Sequence, residues 1–187
     1  MLEVEMKFPV DNFTGLENKL AAASARGTAP IQEADHYFNA PDRDFARTDE
    51  ALRLRRIGEK NHVTYKGPRT DAQTKTRKEI EVPLGEGDAS AEGFMQILVH
   101  LGYRPVAVVR KRRRIYHLDR DEFPVEICLD DVDSLGRFAE LEIVAPEDRL
   151  ARARASILGL AAELGLTCSE RRSYLELLLA GRGDKQS

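Results

Sequence analysis

Glu3 and Glu5 stand two residues apart, and Glu140 and Glu142 repeat that spacing near the other end of the chain. In an extended strand, residues two apart project to the same side. Two carboxylates placed this way repel each other and push one pKa up. A divalent cation between them removes the repulsion, and Mg²⁺ in particular takes oxygen ligands and bridges protein carboxylates to phosphate oxygens. Lys7 falls on the same face as Glu3 and Glu5. The same alternation collects Arg53 with Arg55, His62 with Thr64 and Lys66, Lys75 with Arg77, Glu79 and Glu81, Lys111 with Arg113, and Glu126 with Cys128 and Asp130. Lysine and arginine donate charge-assisted hydrogen bonds to phosphate oxygens. The chemistry these residues suit is the holding of a polyanionic phosphate together with its metal. A single Glu-x-Glu pair says little, because half-solvated strands produce it often. Two such pairs, one followed by Lys7, say more.

These side chains need strands to carry them. Leu2 to Phe8 alternates strictly, with Leu2, Val4, Met6 and Phe8 on the face opposite the charges, and Pro9 ends it. Asp11 is placed to cap a helix running to about Ser24. Ala34 to Asn39 predicts a short strand, and Pro41 a turn or short helix. Ala51 to Ile57 and His62 to Lys66 predict a hairpin around Gly58-Glu59-Lys60-Asn61. Thr74 to Pro83 alternates again. Asp88 or Ser90 caps a helix with Phe94, Ile97, Leu98 and Leu101 on its apolar face, ended by Gly102. Strands follow at Val106 to Leu118, Phe123 to Asp130 and Phe138 to Val144, with Leu135-Gly136 between the last two. Pro146 leads into a helix from Leu150 to Leu164 closed by Gly165, and Ser169 caps a last helix over Arg171 to Leu179.

The 187 residues fit one domain, expected over residues 1–180, with 181–187 as a flexible tail. Basic and acidic residues nearly balance, 29 against 32, which argues against a general nucleic-acid binder. The run Arg110 to Arg114 is split by alternation between two faces, so it makes no continuous patch. No stretch approaches the roughly 18 apolar residues of a membrane span, and the N-terminus lacks the basic start and apolar run of a secretory signal. A cytoplasmic protein with two reduced thiols, Cys128 and Cys168, is expected. The histidines form no HExxH set, and there is no GxSxG or phosphate-binding GxxxxGK[ST] loop.

The helices carry apolar stripes, such as Leu16, Leu20 and Ala23, that must be buried. The apolar strand faces are the available partners. If helices cover the outside of a curled sheet, the charged faces point inward, and a closed barrel removes unpaired edges. The expected fold is therefore α+β: a closed eight-stranded antiparallel β-barrel, a wet charged tunnel, with helices packed on the outside.

At this point the residues resemble a known family. Glu3-Val4-Glu5-Met6-Lys7 resembles the N-terminal ExExK motif of the CYTH family, the triphosphate tunnel metalloenzymes. Asp35-His36-Tyr37-Phe38, Leu52-Arg53-Leu54-Arg55, Thr64-Tyr65-Lys66-Gly67-Pro68, Arg77-Lys78-Glu79-Ile80-Glu81 and Val109-Arg110-Lys111-Arg112-Arg113 are similar to its later strands, in order. Asp130, Leu135-Gly136-x-Phe138, Glu140-x-Glu142 and Arg172-Ser173-Tyr174 resemble its closing block and C-terminal helix. The resemblance implies that Glu3, Glu5 and Glu142 hold a catalytic Mg²⁺ or Mn²⁺, with Glu140 beside them. It implies that Lys7, Arg53, Arg55, Lys66, Arg77, Lys111 and Arg113 hold the triphosphate, with Glu79, Glu81 and Asp130 in support. The catalytic set is then Glu3, Glu5, Lys7 and Glu142.

Two reactions fit this resemblance. One is that of a class IV adenylate cyclase, turning ATP into cyclic AMP and pyrophosphate. The alternative is a triphosphatase hydrolysing an inorganic, thiamine or nucleoside triphosphate. The cyclases of that class carry a His-Phe pair several residues ahead of ExExK, whereas Met1 and Leu2 alone precede Glu3 here. A polyphosphate- or nucleotide-binding module without catalysis is the third reading. ATP or another triphosphate is the expected ligand, a second copy of the chain a candidate partner, and neither nucleic acid nor membrane is expected.

Overall fold

The computed structural model describes residues 2–69 and 77–183. In chain order the elements are β1 (Leu2–Pro9), α1 (Thr14–Ala22), β2 (Arg26–Gly27), β3 (Ile31–Asn39), α2 (Phe45–Thr48), β4 (Ala51–Ile57), β5 (Lys60–Lys66), β6 (Glu79–Leu84), α3 (Gly87–His100), β7 (Arg104–Arg120), β8 (Phe123–Val132), β9 (Gly136–Ala145), α4 (Leu150–Leu164) and α5 (Tyr174–Gly183). A single 3₁₀ turn, Glu147–Arg149, leads from Pro146 into α4. Among the described residues no helix is long and apolar enough to cross a membrane.

The chain divides into two compact units. The first holds Met1–Ile31, Thr70–Arg77 and Arg112–Arg171; the second holds Gln32–Arg69, Lys78–Lys111 and Arg172–Ser187.

In the first unit β1 pairs antiparallel with β9, and β9 with β8. Directly opposed residues in an antiparallel pair share a face. Val4, Ile143, Met6, Leu141, Ile127, Phe8, Ala139 and Leu129 therefore line one side, and all are buried. Leu16 and Leu20 of α1 and Ile157, Leu160 and Leu164 of α4 complete that apolar core. Each such side chain contributes about 1.5–3 kcal/mol by leaving water. Gly165 ends α4 in the left-handed region at φ 77°. There the Leu166 N–H bonds back to the Ala161 carbonyl, satisfying an end of the helix that would otherwise lack a partner.

In the second unit β3, β4, β5 and β6 pair in succession, all antiparallel. Phe38 and Leu54, with Leu52, Val63 and Leu84, pack against Ala91, Phe94, Met95, Leu98 and Tyr103, from α3 and the turn after it. The face of α3 differs from the expected stripe. Ala91, Phe94, Met95 and Leu98 turn inward, whereas Ile97 and Leu101 are 56% and 63% exposed. The 3.6-residue period was legible, but the apolar residues at 97 and 101 made the stripe look one position wider than the sheet can cover. The last helix also starts later than expected. Its cap is Ser173 rather than Ser169: the Glu176 N–H donates to Ser173 Oγ at 3.1 Å while the Glu176 carboxylate accepts from the Ser173 N–H, a reciprocal box that S-x-x-E encodes.

The sheet is antiparallel with helices, as expected, but it is not a closed barrel. Its hydrogen-bonded order runs β1-β9-β8-β7-β3-β4-β5-β6, with β2 added on β7. Closure needs a continuous ladder between the two end strands. Among the described residues the outer edge of β1 has the isolated bridge between Glu3 and Arg77 and no ladder. On β6, Pro83 has no N–H to offer, and Ile80 and Val82 stand half exposed. Of the strand expected from Thr74 to Pro83, residues 74–76, with Lys75, lie outside the described residues, and β6 itself begins only at Glu79.

Candidate functional site

In the first unit, the face of β1, β9 and β8 opposite the apolar core is built in rungs. Glu5 opposes Glu142, which opposes Glu126; Lys7 opposes Glu140, which opposes Cys128; Pro9 opposes Phe138, which opposes Asp130. Glu3, opposite Val144, continues the same face. The alternation of each strand puts all of these on one side because their neighbours at odd spacing are taken by the core. Lys7 is almost fully buried, with its Nζ 5.7 Å from the centre of the Phe138 ring, a cation–π contact.

Arg113 enters the same set. Its Nε and Nη2 donate to the two Asp130 oxygens at 2.7 and 2.6 Å, and Nη2 also meets Glu140. Burial works against the Arg113 charge, but Cys128, Asp130 and Glu140 outweigh it and hold the guanidinium well above its ordinary value. Burial pushes the Cys128 thiol well up, against the pull of Arg113. Cys128 and Cys168 are both free, the first buried and the second exposed.

In the second unit the polar face of β3, β4, β5 and β6 lies opposite the α3 core. Asp35 opposes Arg55, which opposes His62; Tyr37 opposes Arg53, then Thr64, then Glu81. Lys66 opposes Glu79 and forms an ion pair with it. Asp35 accepts two hydrogen bonds from Arg55, at 2.7 and 2.8 Å, and one from Arg53 at 3.3 Å. Burial would raise the Asp35 pKa, but Arg53 and Arg55, helped by Lys111, hold it well below the usual carboxylate range. Arg53 also donates to Thr64 Oγ1 at 3.4 Å, and Thr64 donates onward to Glu81 at 2.8 Å. Glu33 sits 3.3 Å from Arg55 and 3.2 Å from Lys111. Lys111 is buried, with its Nζ 5.3 Å from the Tyr174 ring centre, whereas Arg110 beside it is exposed.

Of the residues selected from sequence, Glu3, Glu5, Lys7, Arg77, Arg113, Asp130, Glu140 and Glu142 thus belong to the first unit, and Arg53, Arg55, Lys66, Glu79, Glu81 and Lys111 to the second. Glu81 is the outlier in burial: it is exposed, on the edge strand. Strand alternation placed Thr64 and Glu126 on the charged faces, and the motifs included Asp35 and Thr64, but none of the three was assigned a specific role, and Glu33 was not singled out from sequence. Glu33 fell outside the expected strand, which starts at Ala34, three residues after β3 does; the Glu33-x-Asp35 spacing itself was the available signal.

Among the described residues no three His, Cys, Asp or Glu side chains gather closely enough to hold a metal by themselves. The donors nonetheless fit a hard cation. Glu5 and Glu142 face each other across two strands, both offering oxygen. Mg²⁺ commonly binds through one or two protein carboxylates, with substrate phosphates and water completing its shell. Two facing glutamates meet that requirement.

The chain is similar to known proteins along most of its length. A Methanocaldococcus jannaschii protein provisionally named an adenylate cyclase is 37% identical over 95% of this chain and 98% of its own length. The adenylate cyclase CyaB of Aeromonas hydrophila is 31% identical over 94% of this chain and 87% of its own. The solved structure of the Pyrococcus horikoshii protein PH1819 superposes with a TM-score of 0.84 at 37% identity, over 96% of this chain and 99% of that one. A Hippeastrum protein provisionally named an adenylyl cyclase, and described as having a dominant triphosphatase activity, shares the fold, with a TM-score of 0.67 at 15% identity over 96% of this chain and 95% of that one. The family model of the CYTH domain matches residues 1–174. The chain belongs to the CYTH family.

Proposed function

We propose that this protein is a metal-dependent enzyme that cleaves a triphosphate, and that it acts as a class IV adenylate cyclase does, on ATP. The observation that carries the reading is a set of buried cations, Arg53, Lys111 and Arg113, each paired with a carboxylate on a strand face turned away from the apolar core. Charges this deep are costly to a fold that does not use them. They suit an anion of several charges. Two relatives that carry cyclase names along most of this chain support the choice of reaction.

Under this reading Glu3, Glu5 and Glu142 hold Mg²⁺ or Mn²⁺, with Glu140 beside them. When bound, the metal offsets negative charge on the phosphate oxygens as they react. Lys7, Arg53, Arg55, Lys66, Arg77, Lys111 and Arg113 bind the phosphates, and their preset hydrogen-bond donors stabilise charge that builds up during transfer. Glu79, Glu81 and Asp130 hold those cations in place. The ribose 3′ hydroxyl gives up its proton to solvent as its oxygen forms a bond to the α phosphorus, the bond from that phosphorus to the bridging oxygen breaks, and pyrophosphate leaves with that oxygen. Little covalent work falls to the protein in such transfers, so positioning and electrostatics supply the rate.

The second reading, a triphosphatase in which water attacks the terminal phosphorus, draws support from the Hippeastrum protein through likeness of fold alone. The two part on products. Incubation with ATP and, separately, with tripolyphosphate, each with Mg²⁺ or Mn²⁺, is expected to give cyclic AMP and pyrophosphate from ATP. Orthophosphate in their place would select the triphosphatase. No product from either substrate, with tight binding of both, would leave a binding module.

A further inference from the structure

Strand β3 carries two carboxylates, Glu33 and Asp35, to which the proposed chemistry assigns no role. They stand two residues apart and so share a face, and both are out of water, at 4% and 1% exposure. Together they interleave with three cations. Asp35 spans Arg55, at 2.7 and 2.8 Å, and Arg53, at 3.3 Å. Glu33 spans Arg55, at 3.3 Å, and Lys111, at 3.2 Å. Buried ion clusters are a poor route to stability, because apolar side chains of similar volume serve as well or better. What such a cluster does supply is geometry. A guanidinium gripped through two N–H groups by a carboxylate has its plane and its remaining donors fixed. Without the carboxylates the cations would repel and spread apart.

We propose that Glu33 and Asp35 are positioning residues that preset Arg53, Arg55 and Lys111 at the spacing that receives phosphate groups. The inference rests on the triphosphate reading above. It also makes an unusual demand on sign. If the carboxylates merely neutralised charge, removing one would raise the positive charge of the cluster and tighten the binding of an anion. If they position the cations, removing one weakens binding despite the added positive charge.

The test is titration of tripolyphosphate with Mg²⁺ into the full chain and its variants by calorimetry, with far-UV circular dichroism and a melting curve for each. Glu33→Gln is expected to bind about tenfold more weakly, the scale of one charged hydrogen bond, with an unchanged dichroism spectrum. Asp35→Asn is expected to lose more, and Asp35→Glu, which keeps the charge, to recover part of that loss. Should Asp35→Asn fail to fold, Glu33→Gln decides the matter, since Arg55 keeps Asp35 in that variant. Binding by Glu33→Gln as tight as wild type, or tighter, overturns the positioning role alone. A wild-type chain that shows no tripolyphosphate binding removes the functional reading and this inference with it.

Discussion

Glu5 shows how one position gains its meaning from its opposite number. Alone it is a buried glutamate; it stands opposite Glu142 across β1 and β9, and under the proposed function the two form a cation clamp. Glu5→Gln keeps the size and removes the charge. It is expected to lower metal-dependent turnover by at least about a hundredfold, the lower end of what a displaced charge-stabilising group costs, with the melting temperature held or raised because repulsion toward Glu142 is relieved. Full activity in that variant would remove the clamp. Asp35 makes a second residue-scale prediction, on stability. Its pKa is depressed in the folded state by Arg53 and Arg55 against the effect of burial. The unfolded chain therefore takes up the proton first as pH falls. The stability Asp35 contributes is whole above about pH 4, the ordinary aspartate value, and is lost as pH drops from there toward the depressed folded value. Unfolding free energy measured from pH 5 to pH 2.5 should fall with acid, and Asp35→Asn should flatten that slope. An unchanged slope would mean that Asp35 is not linked to folding as described.

At the scale of elements, alternation does two jobs with one strand. β1 gives Val4, Met6 and Phe8 to the core and Glu3, Glu5 and Lys7 to the other side. The contrast between an inner and an edge strand is a further prediction. Leu141 of β9 is fully buried, whereas Val82 of β6 is 50% exposed. Leu141→Ala is expected to destabilise the protein by about 2–5 kcal/mol, and Val82→Thr to change it by no more than about 0.5 kcal/mol. Urea denaturation of both variants checks the pair, and similar losses in the two would contradict the placement of β6 at an edge. Much of this level was readable in advance. Ala51 to Ile57 and Leu150 to Leu164 were expected at the bounds they have, because a clear period and a turn or glycine framed each. The start of α5 was not: Ser169 was expected as the cap, but only Ser173 has a glutamate three residues on that closes the box. The hairpin was also tighter than expected: β5 begins at Lys60, leaving Gly58-Glu59 as its two-residue turn.

For the molecule as a whole, net charge is −3, yet the bound anion envisaged here carries several negative charges of its own. Attraction must then be local, through cations that sit in fixed places, and the metal must share the load. Chelation by EDTA is expected to abolish product formation from ATP while leaving the melting curve nearly unchanged, because both apolar cores are built without metal ligands. Product formation that survives chelation would sink the metal-dependent reading. The sequence by itself determined which side of each strand is charged, since the two-residue period is a property of extended backbone and needs no partner to be read. It also determined the family, through motifs kept in order from Glu3 to Tyr174. Tertiary structure alone decided which charges meet. That Asp35 grips Arg53 and Arg55, that Arg113 reaches Asp130 and Glu140, and that Glu126 joins the rung of Glu5 and Glu142 depend on strand register. Register is set between segments far apart in the chain, by how their apolar faces lock against helices. The same holds for the open order of the sheet. Whether two end strands join depends on backbone donors and acceptors meeting across space, and side-chain alternation does not encode that.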